Sequence, residues 1–343
     1  MKRRLFALAC ATMLGVSAFG LACKDDKPSG DISVYMPDGA PALAFAGLMH
    51  EDTQDDGVSY YVTNASQIAS KVTGKNMEEN ADICVLPLTV ATAKVGNGEN
   101  YQMVGAVTHG NLYMISKNTD LQYEASNLGS LVGQTVGVLQ LGSTPGLIFK
   151  SALANNHIPF ADLSVENTVP REDKVNLKPI IIPEGTPPAQ VLNGMIGQGV
   201  NLFVMAEPAV TALAKGGFST VGNVQTIYGE NGYTQAVLVA KKSIVNEKSD
   251  WLKSFLSDVT ESAVWSATAD GETLVAAVQS HFEDEKATSS LNAATLGVGV
   301  VTRSGVRFEA TSICKAKTEA FLQVAKSIDN KTVLPSENFY WSY

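Results

Sequence analysis

Apolar runs of strand length alternate with amphipathic segments through the first two thirds of the chain. Strand-like runs fall at 31–36, 57–62, 82–86, 102–107, 111–116, 134–139, 178–182, 201–205 and 234–240. Helical patterns fall at 41–50, 64–72, 88–95, 145–156, 187–196 and 207–215. This alternation predicts α/β units with mainly parallel sheets. After Lys241 the strand-like runs stop, and residues 248–329 are predicted to be mostly helical.

Two motifs occur twice, in the same order. The stretch "DGAPALAFA" (38–46) follows one apolar run, and "GSTPGLIFK" (142–150) follows another about a hundred residues later. Each is followed by a second motif that runs strand, proline-containing turn, helix and glycine, namely "ADICVLPLTVATAKVG" (81–96) and "NLFVMAEPAVTALAKGG" (201–217). The shared order predicts two similar lobes.

Each repeated turn suits a helix start that faces a ligand. A proline in the first helical turn, here Pro41 or Pro145, has no N–H that a helical partner would need. The small residues Gly39, Gly142 and Ser143 leave neighbouring N–H groups accessible, and helix N-termini carry a positive dipole end. In open α/β sheets such helix starts lie at the carboxyl edge of the strands, so four of them are predicted to converge on one cleft.

Two extended segments are predicted to cross between the lobes. They are "VTHGNLYMISK" (107–117) and "YTQAVLVAKKS" (233–243). Lobe one would then comprise residues 31–112 and a mostly helical second part, 240–343. Lobe two would comprise residues 113–239. Asp38 is expected to cap the helix that begins at Pro41.

Composition narrows the class of protein. The 343 residues are 45% hydrophobic and 17% charged, which is ordinary for a globular chain long enough for two domains. The formal net charge is −9, and no cluster of lysine and arginine interrupts that acidity. The charge distribution therefore argues against nucleic acid as a partner.

The N-terminus has the pattern of an export signal. A basic "MKRR" precedes an apolar segment, and small residues precede Cys23, which predicts a signal peptide over residues 1–22. Cys23 and the polar "KDDKPSGD" resemble the acylated cysteine of bacterial lipoproteins, which predicts a lipid-anchored tether over 23–30. The match departs from the usual pattern at Gly20, where leucine is expected. Plain secretion after Ala22 and an uncleaved anchor remain alternatives.

Cysteine is sparse in the predicted folded body. Cys10 falls in the signal and Cys23 at the anchor, which leaves Cys84 and Cys314. Two cysteines do not make a disulfide framework. They are expected to be inert thiols, with a single bridge as the alternative.

Taken together, the motifs resemble those of a known transport family. "MPDGAPALA", the repeated strand-turn-helix segments, the two crossovers and "GQTVGVLQLGSTPGLIFKSALANNHI" are similar to the substrate-binding proteins of bacterial ABC importers, of the class that binds nitrate, sulfonate and taurine or thiamine-pyrimidine precursors. The resemblance implies a two-lobed α/β fold of the type II periplasmic-binding-protein kind. It also implies a monomer without cofactor or metal that closes over a small solute and delivers it to a permease driven by a cytoplasmic ATPase.

The resemblance also implies which residues line the cleft. They are Gly39, Ala40, Pro41, Leu88 and Thr89 from lobe one, Thr108, His109, Gly110 and Asn111 from the first crossover, and Gly142, Ser143, Thr144 and Glu207 from lobe two. Glu207 would suit an amine, amidine or heterocyclic N–H, although a glutamate at a helix start also complements the helix dipole. His109 would contact the solute or be structural.

The ligand and the rival functions stay open at this point. No arginine lies in a predicted pocket turn, which argues against a bidentate anion clamp, although helix N–H groups bind oxyanions without one. An amine-bearing heterocycle such as a pyrimidine is favoured over a small sulfonate.

An enzyme is disfavoured because "GSTPG" lacks the serine position of a hydrolase elbow and the four histidines have no metal-ligand spacing. A sensor that uses the same cleft is the other alternative.

Overall fold

A computed structural model of the chain describes residues 32–51, 57–164, 168–183, 186–230, 232–297 and 299–343. The predicted signal peptide, the tether and Cys23 lie outside these residues. The strands are β1 Ile32–Pro37, β2 Val58–Thr63, β3 Ile83–Pro87, β4 Tyr101–His109, β5 Leu112–Ser116, β6 Thr135–Leu139, β7 Phe160–Asp162, β8 Val175–Ile180, β9 Leu202–Ala206, β10 Ser219–Asn223, β11 Thr234–Lys241 and β12 Val306–Ala310.

The helices are α1 Ala40–Leu43, α2 Ala46–Glu51, α3 Leu88–Val95, α4 Thr144–Asn155, α5 Pro188–Ile196, α6 Ala209–Ala214, α7 Val224–Tyr228, α8 Lys242–Glu247, α9 Ser249–Ser266, α10 Gly271–Gln279, α11 Val300–Arg303 and α12 Thr311–Ile328. The helix predicted over 41–50 is divided into α1 and α2. Residues 68–72, predicted as part of an α-helix, form a 3-10 helix instead.

The strands form two six-stranded sheets. The first has the order β12-β4-β11-β3-β1-β2, and the second has the order β10-β5-β9-β6-β8-β7. The chain passes from the first sheet to the second between β4 and β5, and returns after β10 to β11. The first passage lies within the predicted crossover 107–117, whereas the return passage precedes β11 and ends where the predicted crossover 233–243 begins. The two-lobed α/β architecture is confirmed.

The prediction of mainly parallel sheets is only half right. Pairs such as β1 with β3 and β6 with β9 are parallel. The crossing strands pair the other way, because β11 is antiparallel to both β3 and β4, and β5 is antiparallel to β9. A strand that enters a sheet from the opposite lobe arrives without a covering crossover helix, and antiparallel pairing does not require one.

The prediction that strands stop after Lys241 is wrong at one place. Residues of β12 pair antiparallel with β4 at the edge of the first sheet. The sequence there, "VRFEA", is short and has polar residues at two positions, which is typical of an edge strand and weak as a sequence signal.

Both faces of each sheet are covered by apolar side chains. Along β3, Ile83 and Val85 belong to the core that includes α2, α9 and α10, whereas Cys84 and Leu86 point into a second core. This second core continues into the other sheet through Val136 and also contains α4 and part of α12. Burial on both faces explains why these strands read as unbroken apolar runs in the sequence.

The first turns of α1 and α4 confirm that both helices have a proline near their start. Pro41 is the second residue of α1, and Pro145 is the second residue of α4. Each helix therefore starts one residue earlier than the sequence predicts. Among the described residues, no helix has the length and apolar character needed to cross a bilayer.

Candidate functional site

The carboxyl ends of the parallel strands place two repeated helix starts in contact. Thr89 is the second residue of α3, which follows a strand of the first sheet, and Thr144 is the first residue of α4, which follows a strand of the second sheet. Their Oγ1 atoms are 2.8 Å apart and share a hydrogen bond. The backbone N–H of Thr89 also points at Thr144 Oγ1, at 3.5 Å. Two of the four helix starts predicted to converge therefore meet here.

Beside Thr144, the turn before α4 leaves open space. Gly142 is exposed, and a Cβ added there would meet nothing within 4 Å. Ser143 is the N-cap residue of α4, but its side chain makes no capping hydrogen bond. The first backbone N–H groups of a helix have no partner within the helix and can donate to a bound group.

The start of α1 is shaped by Gly39, which has a φ of +103° and no atom within 4 Å of an added Cβ. Gly39, and not Asp38, is the N-cap residue, so the predicted capping role of Asp38 is wrong. The Asp38 carboxylate instead accepts hydrogen bonds from Ser289 Oγ at 2.6 Å and from the Ser290 N–H at 2.7 Å. Asp38 thereby fixes the loop after α10 against the α1 turn.

Glu207 and Asn111 are brought together by the pairing of β5 with β9. The N–H of Glu207 donates to the Asn111 carbonyl at 2.9 Å, and Asn111 Nδ2 donates to the Glu207 carbonyl at 3.3 Å. Both residues are buried. The first crossover is therefore bonded directly to the turn that carries the predicted ligand carboxylate.

The Glu207 carboxylate already has protein partners. Its Oε2 accepts from the Thr211 N–H at 2.9 Å, and its Oε1 accepts from Thr211 Oγ1 at 2.8 Å. Arg303 Nε donates to the same Oε1 at 3.1 Å. The side chain of Glu207 is 2% exposed, so these donors compensate the burial of its charge.

Sequence reasoning missed Arg303. It lies in "VVTRSG", about a hundred residues from Glu207 and outside every repeated turn, so no local signal connects the two. Tyr113 adjoins the pair, because its Oη donates to the Arg303 carbonyl at 3.2 Å. Burial raises the pKa of Tyr113 above its ordinary value, and the charge of Glu207 raises it further.

His109 is placed in the protein interior next to charged residues of the first sheet unit. Neither ring nitrogen has a hydrogen-bond partner among the described residues, and Nε2 lies 3.8 Å from Glu309 Oε1. Burial, together with the charge of Arg307, lowers the pKa of His109 to about 3. The imidazole is therefore neutral at physiological pH. These contacts favour a structural role for His109 over contact with a solute.

Gly110 of the first crossover is packed against Gln225 of α7 and Tyr233 of the second crossover. A Cβ there would meet Gln225 Cγ at 2.0 Å and Tyr233 Oη at 3.0 Å. Gln225 Oε1 in turn accepts from the Leu112 N–H at 2.9 Å and from Tyr233 Oη at 2.7 Å. Close packing between the two crossovers therefore requires glycine at position 110.

The other predicted site residues differ in exposure. Leu88 is fully buried in the core and Thr108 is 1% exposed, whereas Ala40 is buried and Pro41 is half-buried at the start of α1.

Both body cysteines are buried free thiols, so the alternative of a bridge is wrong. Among the described residues, no group of three or more histidine, cysteine, aspartate or glutamate side chains could hold a metal ion.

Comparisons with solved structures identify the fold. A protein from Parabacteroides distasonis described as an ABC transporter matches with a TM-score of 0.66 and 18% identity, over 91% of this chain and 99% of its own. The aliphatic sulphonate binding protein of Escherichia coli matches with a TM-score of 0.61 and 12% identity, over 92% and 93% of the two chains.

A third solved structure gives the same result. The alkanesulfonate-binding protein of Xanthomonas axonopodis, bound to MOPS, matches with a TM-score of 0.57 and 13% identity, over 91% and 98% of the two chains. No family model matches the sequence, and no curated protein is similar to it in sequence. The chain therefore has the two-lobed fold of periplasmic binding proteins, shared with substrate-binding components of ABC importers.

Proposed function

We propose that the protein is the extracytoplasmic solute-binding component of an ABC importer. It captures a small organic solute in the cleft between its lobes and delivers it to a permease driven by a cytoplasmic ATPase. The observation that carries this proposal is the meeting of α3 and α4 at Thr89 and Thr144. Two helix starts from different sheets face each other there, with open space beside Gly142.

The proposed lobes are residues 31–112 with 240–343, and residues 113–239. Their hinge would be formed by the two passages between the sheets, which Gln225 joins through hydrogen bonds to Leu112 and Tyr233. Rotation about two short passages is the usual basis of hinge closure around a ligand. The solute would be held by the helix starts at 39–41, 88–89 and 142–144.

The solute class follows from the polar groups around the cleft. Glu207 and Arg303 pair with each other, so this part of the site is neutral overall. Open N–H groups at the helix starts favour a ligand with acceptor atoms, and the buried Asn111 Oδ1 has no donor among the described residues. A small polar solute with both acceptors and N–H donors, such as a pyrimidine, fits this set.

A thermal-shift screen of the protein lacking its first 23 residues tests the proposal. The panel contains pyrimidines, sulfonates, amino acids and polyamines. A ligand at one hundred times its dissociation constant stabilises the folded state by about 2.7 kcal/mol, which moves Tm by a few degrees. We expect one class to shift Tm. If every class fails and native mass spectrometry finds no co-purified small molecule, the solute-binding function is rejected.

The site is tested with a substitution that fills the open space. Gly142→Met places a side chain at the α4 start without a backbone clash and should abolish the Tm shift. Gly194→Met is the matched control, because Gly194 is an exposed glycine of α5 that also has nothing within 4 Å of an added Cβ. A ligand that binds both variants equally well does not occupy this cleft.

We also propose that Cys23 is lipidated and holds the protein at the outer face of the membrane. The support is the sequence pattern around it. Membrane fractionation of cells that produce the protein, with Cys23→Ser as comparison, tests this point. The parent should sediment with membranes and the variant should be released, and equal distribution of the two would contradict lipid anchoring.

A further inference from the structure

Each sheet and the helices that pack on it form one unit of the protein. Arg303 connects the two units at the edge of the cleft. It ends α11, whose residues Val300 and Val301 are buried in the core against the first sheet. Its guanidinium contacts Glu207 in the turn after β9 and Thr211 in α6, and both residues follow a strand of the second sheet. Every contact between Arg303 and that turn is therefore a contact between the two units.

Three hydrogen bonds join Arg303 to the second unit. Nε donates to Glu207 Oε1 at 3.1 Å, and Nη2 donates to Thr211 Oγ1 at 3.0 Å. On the backbone side, Tyr113 Oη donates to the Arg303 carbonyl at 3.2 Å. Arg303 is thus held on both its side chain and its main chain by residues of the opposite unit.

Separation of the units would affect the two ends of this contact differently. Glu207 would keep its bonds to Thr211, because both residues belong to the second unit. The ion pair with Arg303 would be broken. Since Glu207 is 2% exposed and Arg303 is 47% exposed, the pair lies at a boundary where added salt screens it only in part.

We propose that Arg303 is an interlobe latch that stabilises the closed arrangement of the cleft. This inference rests on the proposed solute-binding function and adds a control of closure to it. Glu207 then acts through Arg303 and not by contact with the solute. The latch raises the fraction of molecules that are closed, and the apparent affinity for any solute rises with that fraction.

Hydrogen exchange measured by mass spectrometry on the full chain, without added solute, tests the latch. The informative segments are 86–92 and 142–148, which carry the contact between Thr89 and Thr144 and lie outside the Arg303 cluster. Arg303→Ala should speed exchange there about tenfold, the effect expected for a charged hydrogen bond that is partly exposed. Segments of the buried strands, such as 202–206, should be unchanged.

Arg307→Ala is the matched control. Arg307 is a half-exposed arginine four residues away, and it pairs with Glu309 of its own unit. It should leave segments 86–92 and 142–148 unaffected. Glu207→Gln, which keeps the shape of the side chain, is the second latch variant and should act like Arg303→Ala. In 1 M NaCl the parent should shift toward the Arg303→Ala rates.

The result that overturns the latch is unchanged exchange at 86–92 and 142–148 in both Arg303→Ala and Glu207→Gln, or an equal change in Arg307→Ala. Faster exchange confined to 205–213 and 299–305 would show a local structural role and would also overturn it. Because no solute is added, these outcomes do not depend on the thermal-shift screen. Failure of that screen, together with the absence of a co-purified small molecule, would reject the solute-binding function without deciding the interlobe contact.

Discussion

Thr89 and Thr144 share a hydrogen bond between their Oγ1 atoms, 2.8 Å apart, although one belongs to a helix of the first sheet and the other to a helix of the second. A double-mutant cycle with Thr89→Val and Thr144→Val measures this contact. We expect a coupling of about 0.5–1.5 kcal/mol in the free energy of unfolding by urea. Effects that add within about 0.3 kcal/mol would show that the two hydroxyls do not interact.

Gly110→Ala should destabilise the protein. The new methyl group would meet Gln225 Cγ at 2.0 Å, and Gln225 is held by hydrogen bonds to Leu112 and Tyr233. Overpacking of this kind costs about 1–3 kcal/mol. Gly142→Ala is the control, because its Cβ meets nothing within 4 Å, and it should stay within about 0.5 kcal/mol of the parent. Equal midpoints of urea unfolding would contradict the close approach at Gly110.

Stability should fall with acid in a way that depends on His109. Burial lowers its folded-state pKa to about 3, whereas an unfolded histidine has a pKa of about 6.5. Below pH 6.5 the unfolded chain therefore binds the proton that the folded chain rejects. This contribution is fully present above pH 6.5 and is lost as the pH falls toward 3. Between pH 7 and pH 4.5 the loss amounts to roughly 2–3 kcal/mol.

The measurement for His109 compares urea unfolding at these two pH values. The variant His109→Gln should lose less stability between pH 7 and pH 4.5 than the parent, because glutamine does not titrate. His157→Asn is the control, since His157 is exposed and asparagine tolerates its φ of 59°. If the parent and His109→Gln lose equal stability, a neutral buried His109 is the wrong assignment.

Cys84 and Cys314 should resist thiol reagents in the folded protein. Burial raises the pKa of the Cys84 thiol far above its ordinary range and raises that of Cys314 to about 12. Only the thiolate reacts, so in the protein lacking its first 23 residues, which retains only these two cysteines, a chromogenic disulfide reagent at pH 8 should modify neither thiol until denaturant is added. A cysteine introduced at the exposed Ser130 should react at once. Prompt reaction without that added cysteine would contradict the burial of both thiols.

Local signals in the sequence account for the repeated turns and for the two-lobed organisation. Prolines in the first turn and short apolar runs act over a few residues, and the structure places α1, α3, α4 and α6 where these signals predict helix starts. The crossovers are also predictable from local sequence, because an extended segment bounded by turns stays extended whichever lobe it enters. The order of these elements along the chain was enough to predict an α/β protein with a cleft.

Pairing between distant residues was decided only by the tertiary structure. The sequence presents Glu207 as a free ligand carboxylate and places no arginine in the pocket, whereas the fold brings Arg303 to within 3.1 Å of Glu207 Oε1. In the same way, Asp38 bonds to Ser289 and not to its own helix. An ion pair or a buried hydrogen bond requires proximity in space and leaves no periodicity in the chain. The sequence therefore determined the lobes and their helix starts, and the packing of one lobe on the other determined which charges meet.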